Sequence, residues 1–180
     1  MNLNVEKILI IGLGMIGSSI ALASKSKGIK VYGFDKSNNS TKEALEKNII
    51  DSKVESILDI NSKDFVKKVD LVIVSVPPKQ TLDVLNDLKD IWNTDVTITD
   101  TSSVKNHIKL NGASNIILSH PIAGSDQSGI SAANGDLFKN KKNVLCDPFN
   151  SKKGHLEKVE NFWKNALQMR TSSMSVTEHD

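Results

Sequence analysis

This sequence of 180 residues has one cysteine, one arginine and few aromatic side chains. Because Cys146 stands alone, the chain can form neither an internal disulfide nor a metal site of several cysteines. Aromatic residues make up 4% of the chain, so the core has to be mainly aliphatic. With Arg170 as the only arginine, the chain is poor in the planar guanidinium groups that grip carboxylates and phosphates in pairs.

Basic and acidic side chains nearly balance in number. The formal net charge is +2, with 23 basic and 21 acidic side chains, and no basic block interrupts the sequence. Such a chain lacks the field that holds nucleic acid or an anionic membrane, so we expect neither partner. The apolar segment 8–23 imitates a signal peptide, but glycines and serines interrupt it and it is too short to span a bilayer. We therefore expect a cytoplasmic protein.

Short apolar runs alternate with helical patterns along most of the chain, which is typical of an α/β fold with a parallel sheet. The length favours one domain. The predicted strands cover residues 7–11, 30–34, 70–76, 96–99, 116–119 and 143–146. The predicted helices cover residues 15–27, 41–47, 81–91, 105–110 and 152–167. Residues 48–69 are too irregular to assign, whereas residues 168–171 have the pattern of a last strand.

A glycine-rich turn follows the first predicted strand. Its pattern GxGxxG, which begins at Gly12, stands between a strand and a helix, and Asp35 ends the next strand. This context is typical of a Rossmann-type dinucleotide site, in which the glycines allow a tight turn, approach of the pyrophosphate and close packing of the helix. A purely structural turn is the alternative. Asp35 can accept the ribose hydroxyls of NAD and would repel the phosphate of NADP, although Lys36 could soften that repulsion.

Two further motifs end predicted strands at the same edge of the sheet, where open parallel sheets bind ligands. The first contains Ser75, Val76 and Pro77; it either borders the nucleotide or only ends its strand. The second, at residues 100–105, contains Ser102 and Ser103, whose hydroxyls either cap a following helix or point into the crevice. The sequence leaves both pairs of alternatives open.

His120 follows a predicted strand at that edge and precedes a loop rich in proline, glycine and serine. A neutral imidazole there could accept a proton from a substrate hydroxyl, although a lone histidine is often a structural residue. His107, His155 and His179 stand in polar surroundings, and we predict that they lie on the surface. No spacing of His, Asp, Glu and Cys predicts a metal site.

Taken together, these motifs resemble the prephenate and arogenate dehydrogenase family of tyrosine biosynthesis. The segments that carry the resemblance are GLGMIGSS, YGFD, VSVPP, DTSSVK and, above all, HPIAGSDQSG followed by LF. The closing EHD resembles the point where that family passes into its second domain. The resemblance extends from about Lys7 to Asp180, with the motifs in the family's order.

The resemblance implies NAD-dependent oxidation of a ring alcohol with loss of a ring carboxylate, on prephenate or arogenate. It assigns His120 to catalysis and Ser103 to orienting that histidine or the substrate hydroxyl. Gly124, Ser125 and Asp126 fall in the substrate loop, where Asp126 replaces the longer glutamate of many members. The candidate cofactor-binding residues are Gly12, Leu13, Gly14, Met15, Ile16, Gly17, Asp35, Lys36, Ser75, Val76, Pro77 and Ser102.

The resemblance also implies that the protein has two domains with different roles. Residues 1–171 would form the NAD-binding domain, and residues 172–180 would begin a linker to a helical dimerisation domain, absent here, that supplies basic residues for the substrate carboxylates. We therefore expect the full-length protein to be a homodimer. Two alternatives remain: another Rossmann dehydrogenase, acting on a small hydroxy acid or an imine, and an NAD-binding module without turnover.

Overall fold

A computed structural model describes residues 5–124 and 127–180 of the chain. In these residues eight strands form one sheet in the order β3-β2-β1-β4-β5-β6-β7-β8. The strands are β1 Lys7–Ile11, β2 Lys30–Phe34, β3 Ser52–Lys53, β4 Leu71–Val74, β5 Thr97–Asp100, β6 Ile116–Ile122, β7 Lys142–Cys146 and β8 Arg170–Ser173. Neighbouring strands are parallel except that β7 runs antiparallel to β6. This is the expected Rossmann-type, mostly parallel sheet.

Helices cover both faces of the sheet, because alternate residues of its central strands point to opposite sides. Ile8 and Ile10 of β1 pack into one core, and Leu9 and Ile11 pack into the other. The helices are α1 Met15–Lys25, α2 Asn38–Glu46, α3 Ile57–Ile60, α4 Lys63–Val66, α5 Pro78–Asp87, α6 His155–Asn161 and α7 Val176–His179. A π-helical stretch, Phe162–Ala166, continues α6 and buries Trp163 completely.

The structure confirms the predicted β1 and β2 to the residue and moves the ends of most other elements by a few positions. The unassigned segment 48–69 holds β3, α3 and α4. The predicted helix at residues 105–110 is wrong, because that segment forms turns and irregular backbone. Lys105 explains the difference: its side chain runs into the interior and is fully buried, whereas a surface helix would expose its charged residues.

Two differences from the predicted elements matter for the site. Strand β6 continues past Ser119 to Ile122, so His120 lies within a strand rather than after one. At the other end of the chain, β8 pairs with β7 over Arg170–Ser173, and the short helix α7 follows at Val176–His179. The boundary expected at residue 171 therefore falls inside the last strand of the sheet.

Candidate active site

Two adjoining clefts open where the glycine turn and the ends of β4, β5 and β6 meet. The first, of about 420 Å³, lies between the start of α1 and His120. The second, of about 240 Å³, lies between the glycine turn, Asp35 and α5. Both clefts are lined by Gly14, Ser75, Val76 and Pro77, so they form two lobes of one groove. Such a groove at the carboxyl ends of parallel strands is where α/β sheets bind nucleotides.

The glycine turn is shaped by backbone contacts that leave no room for side chains at Gly12 and Gly17. Gly12 has φ +95°, and a Cβ atom there would lie 2.3 Å from the carbonyl oxygen of Ser75. A Cβ atom on Gly17 would lie 2.0 Å from the carbonyl oxygen of Gly12, which explains how closely α1 packs on the turn. A Cβ atom on Gly14, by contrast, would meet nothing within 4 Å, so the helix start is open to the groove. This cradle fits a dinucleotide pyrophosphate.

Asp35 stands at the end of β2 and lines the second cleft together with Lys36. Its Oδ2 accepts a hydrogen bond from the backbone N–H of Leu13 at 2.8 Å, and its Oδ1 accepts one from the N–H of Ser37 at 2.8 Å. These bonds fix the carboxylate against the glycine turn. Each carboxylate oxygen can accept a second bond, so Asp35 keeps the capacity to receive ribose hydroxyls.

The remaining cofactor candidates divide into groove residues and supporting residues. Met15, Ile16 and Ser102 line the first cleft. The side chain of Leu13 is buried in the core instead, and that residue reaches Asp35 through its backbone N–H. The structure thus brings most of the predicted set to one groove.

The substrate-loop candidates are placed less completely. Gly124 is exposed beyond the end of β6, and its neighbour Ala123 lines the first cleft. Ser125 and Asp126 lie outside the described residues. Ser103 is exposed and also lines the first cleft, on the β5 side.

The motif at residues 100–105 closes around a buried ion pair that sequence reasoning missed. The Lys105 ammonium donates to both carboxylate oxygens of Asp100, at 2.8 and 2.6 Å, and to the Ser119 carbonyl oxygen at 2.6 Å. Both side chains are fully buried. Burial lowers the pKa of Lys105, and the Asp100 carboxylate opposes that effect. In the sequence, this pair is marked only by an Asp five residues before a Lys, in a motif whose most evident feature is its hydroxyl side chains.

This ion pair holds the ends of β5 and β6 in place. Asp100 also accepts hydrogen bonds from the backbone N–H groups of Ser119 and Ser102, at 2.9 and 3.0 Å. Ser102 uses its hydroxyl within the turn, where Oγ donates to the Val104 carbonyl oxygen at 2.9 Å. No helix follows residues 100–105 for Ser102 or Ser103 to cap, and both residues line the first cleft.

His120 lines the first cleft and is half-buried. Its Nδ1 lies 2.9 Å from Nε2 of His179, and no described residue, in 5–124 or 127–180, hydrogen-bonds its own Nε2. Burial, His179 and the Lys105 ammonium lower the pKa of His120 below its ordinary value, so the ring is neutral near pH 7. A neutral imidazole at the wall of a cleft can accept a proton from a hydroxyl.

The prediction that the other histidines lie on the surface is wrong. The ring of His179 is 4% exposed and contacts His120. His155 is buried, and its Nδ1 lies 2.7 Å from the Thr97 hydroxyl. His107 is half-buried, with Nε2 3.1 Å from the carbonyl oxygen of Pro78. These partners are 29 to 59 residues away along the chain, so local polarity could not reveal them.

Across residues 5–124 and 127–180, no three His, Cys, Asp or Glu side chains are grouped in a way that could hold a metal ion. In the same residues no helix has the length and apolar character needed to cross a membrane.

The chain as a whole is similar to proteins of one known family. The profile described as "Prephenate dehydrogenase, nucleotide-binding domain" matches residues 20–168. The chain belongs to this family. Two curated prephenate dehydrogenases are similar to it: that of Bacillus subtilis, 33% identical over all of this chain and 49% of the relative, and that of Lactococcus lactis, 38% identical over 79% and 41%.

A solved structure agrees with this membership of the prephenate dehydrogenase family. The A. aeolicus prephenate dehydrogenase, crystallised with hydroxyphenyl propionate and NAD+, superposes with a TM-score of 0.87 at 29% identity. The superposition covers 99% of this chain and 63% of that one. Of the two curated relatives named above, the chain spans about half the length.

Proposed function

We propose that this chain is the NAD-binding part of an enzyme that oxidises and decarboxylates prephenate or arogenate in tyrosine biosynthesis. One observation carries the proposal: the open start of α1 and the half-buried His120 line the same cleft. A cofactor held by the glycine turn and a base on β6 would thus face the same substrate. The family membership and the NAD+ complex of the A. aeolicus relative support this assignment.

The glycine turn would hold the pyrophosphate, and Asp35 would receive the ribose hydroxyls, with Lys36 beside it. A bound NAD supplies a hydride acceptor for the ring carbon that bears the hydroxyl. Ser75, Val76 and Pro77 would position the cofactor between the two lobes. The Asp35 carboxylate disfavours the additional phosphate of NADP, so NAD is the proposed cofactor.

His120 would act as the base. Its Nε2 would accept the proton of the substrate hydroxyl while the ring carbon that bears this hydroxyl loses its hydride. The ring carboxylate would then leave as carbon dioxide, and the electrons of the broken carbon–carbon bond would make the ring aromatic. The lowered pKa of His120 keeps the acceptor nitrogen unprotonated near pH 7. Ser103, on the same cleft wall, would orient the hydroxyl or the histidine.

Because the chain spans about half the length of its curated relatives, we propose that the rest of the protein completes the site. Residues 1–171 would be the NAD-binding domain, and residues 172–180 would lead into a helical domain that forms the homodimer and binds the substrate carboxylates. Arg170, the only arginine, lies on β8 and is absent from the lining of both clefts. We also propose a cytoplasmic location for this enzyme.

Calorimetry tests the cofactor assignment on the 180-residue chain itself. We expect NAD to bind more tightly than NADP, by roughly tenfold or more, because only NADP places a phosphate beside the Asp35 carboxylate. In the Asp35→Asn variant this preference should shrink. Equal affinities for the two nucleotides in the unchanged chain would contradict the assignment.

Turnover is tested by joining the chain to the C-terminal half of the B. subtilis relative and measuring prephenate-dependent NADH formation. His120→Asn should lower kcat by about 100-fold or more, because it removes the base. His107→Asn is the matched control, since His107 is also half-buried but does not line either cleft. NAD binding without any turnover would favour the non-catalytic module, and activity in His120→Asn within a fewfold of the parent would refute the catalytic assignment.

A further inference from the structure

Three side chains form a hydrogen-bonded row that leads from the C-terminal segment to the first cleft. His120 Nδ1 lies 2.9 Å from His179 Nε2, and His179 Nδ1 lies 2.6 Å from Asp180 Oδ1. The two imidazole rings meet edge to face, with centroids 5.1 Å apart. The side chains of His179 and Asp180 are 4% and 11% exposed, so the row is largely shielded from water.

The far end of the row is anchored. The Asp180 carboxylate accepts hydrogen bonds from the backbone N–H groups of Lys105 and Asn106, at 3.0 and 2.7 Å. Burial raises the pKa of Asp180, but these amides and His179 outweigh that effect and lower it, so the group is an anion at neutral pH. Ser175 and Glu178 form a capping box that fixes the start of α7. Asp180 therefore acts on His179 as a fixed acceptor.

A carboxylate has no proton to donate, so when both imidazole rings are neutral the direction of every bond in the row is decided. His179 must carry its proton on Nδ1 to donate to Asp180, which leaves Nε2 of the neutral ring as an acceptor. His120 must then carry its proton on Nδ1 to donate to His179. The remaining nitrogen of His120, Nε2, is left with a free lone pair.

We propose that His179 and Asp180 are positioning residues that hold His120 in its Nδ1-protonated tautomer, so that Nε2 is the proton acceptor in the cleft. The identity of the proton donor, the substrate hydroxyl, rests on the proposed function, whereas the tautomer does not. When Nε2 takes that proton, His120 becomes an imidazolium that still donates through Nδ1 to His179. The Asp180 anion at the end of the row favours that charge.

Nitrogen-15 NMR of the histidine rings in the 180-residue chain tests the tautomer directly. Above the pKa of His120, the unchanged chain should show protonation on Nδ1. In His179→Phe, which keeps a ring but removes both hydrogen bonds, the ratio of tautomers should shift toward Nε2–H by roughly tenfold. Asp180→Asn should shift it less, because the asparagine oxygen can still accept. Thr177→Ala, an exposed change on the same helix, should leave it unchanged.

His179→Gln distinguishes hydrogen bonding from packing, because its amide oxygen can accept from Nδ1–H of His120. It should restore much of the Nδ1-protonated form. If His179→Phe fails to fold, the Gln and Asn variants still decide. Protonation of His120 on Nε2 in the unchanged chain, or one tautomer ratio in the parent, His179→Phe and Asp180→Asn, would overturn the proposal.

A second measurement uses the chimera described above. His179→Phe should lower kcat with little change in the KM for prephenate, and the pH profile of kcat should move, whereas a merely structural contact would leave the profile in place. Absence of turnover in the parent chimera would count against the proposed function alone. An unmoved profile in an active His179→Phe chimera, with the NMR shift present, would show that the row does not act in catalysis and would overturn the positioning role.

Discussion

The two sides of the groove are built in different ways. The glycine-turn region, residues 7–78, shapes its lobe with backbone: the positive φ of Gly12 and the contact of Gly17 with the Gly12 carbonyl. The histidine region, residues 97–180, shapes its lobe with side chains, through the buried Asp100–Lys105 pair and the row that ends at His120. A backbone cradle depends on the absence of side chains, whereas a side-chain network depends on every partner being present.

The largest expected effect lies in the histidine region. Lys105→Met leaves the fully buried Asp100 carboxylate without its cation, and we expect the free energy of unfolding to fall by about 3–5 kcal/mol. Lys109→Met, at an exposed lysine nearby, should change it by less than about 0.5 kcal/mol. Denaturant unfolding measures both.

The double variant Asp100→Asn with Lys105→Met sharpens this test, because the neutral amide no longer buries a charge. It should recover part of the lost stability. If Lys105→Met alone matched its control, the histidine region would not depend on its charged network and the contrast between the two sides would fail.

A smaller effect is expected from the glycine-turn region, and there stability and binding should separate. Gly17→Ala forces a methyl group against the Gly12 carbonyl oxygen, and we expect a loss of about 1–3 kcal/mol in unfolding free energy together with weaker NAD binding. Gly14→Ala meets no protein atom within 4 Å and should weaken NAD binding without loss of stability. Thermal unfolding and calorimetry distinguish the outcomes, and equal destabilisation by both changes would contradict the cradle.

The smallest expected effect is a loss of folding stability at acidic pH. All four histidines lie in the histidine region, and burial lowers the pKa of two of them, His120 and His155. Lys105 further lowers the pKa of His120, and Lys158 and Lys152 further lower that of His155. Nearby aspartates raise both pKa values but do not outweigh these effects. A histidine whose folded pKa is depressed binds fewer protons when folded, so its stabilising contribution is lost as the pH falls below about 6.5.

Unfolding temperatures measured from pH 7.5 to 5 should therefore fall, and His155→Gln should reduce that fall. Hydrogen exchange locates the effect: amides of β6 and β7 should lose protection in acid before those of β1 and β2. Loss of protection first in β1 and β2 would reverse the comparison.

The two regions also differ in how far the sequence predicts them. Strands β1 and β2 and the turn at Gly12 follow from apolar runs and glycine spacing, which are local signals. The contact of His120 with His179 joins residues 59 positions apart, and no local pattern encodes it. The false helix at residues 105–110 has the same origin, because an ordinary surface residue type, Lys105, pairs with a buried aspartate that only the folded sheet brings within reach.

The extended strand β6 has a consequence for how this protein can vary. Its residues alternate between the two faces of the sheet, so Ser119 meets Trp163 in the interior while His120 faces the cleft. Deleting or inserting a single residue upstream in this strand would exchange those two orientations and carry the imidazole to the wrong face. Evolution can therefore change the lengths of the connecting loops far more freely than the number of residues between Ile116 and His120.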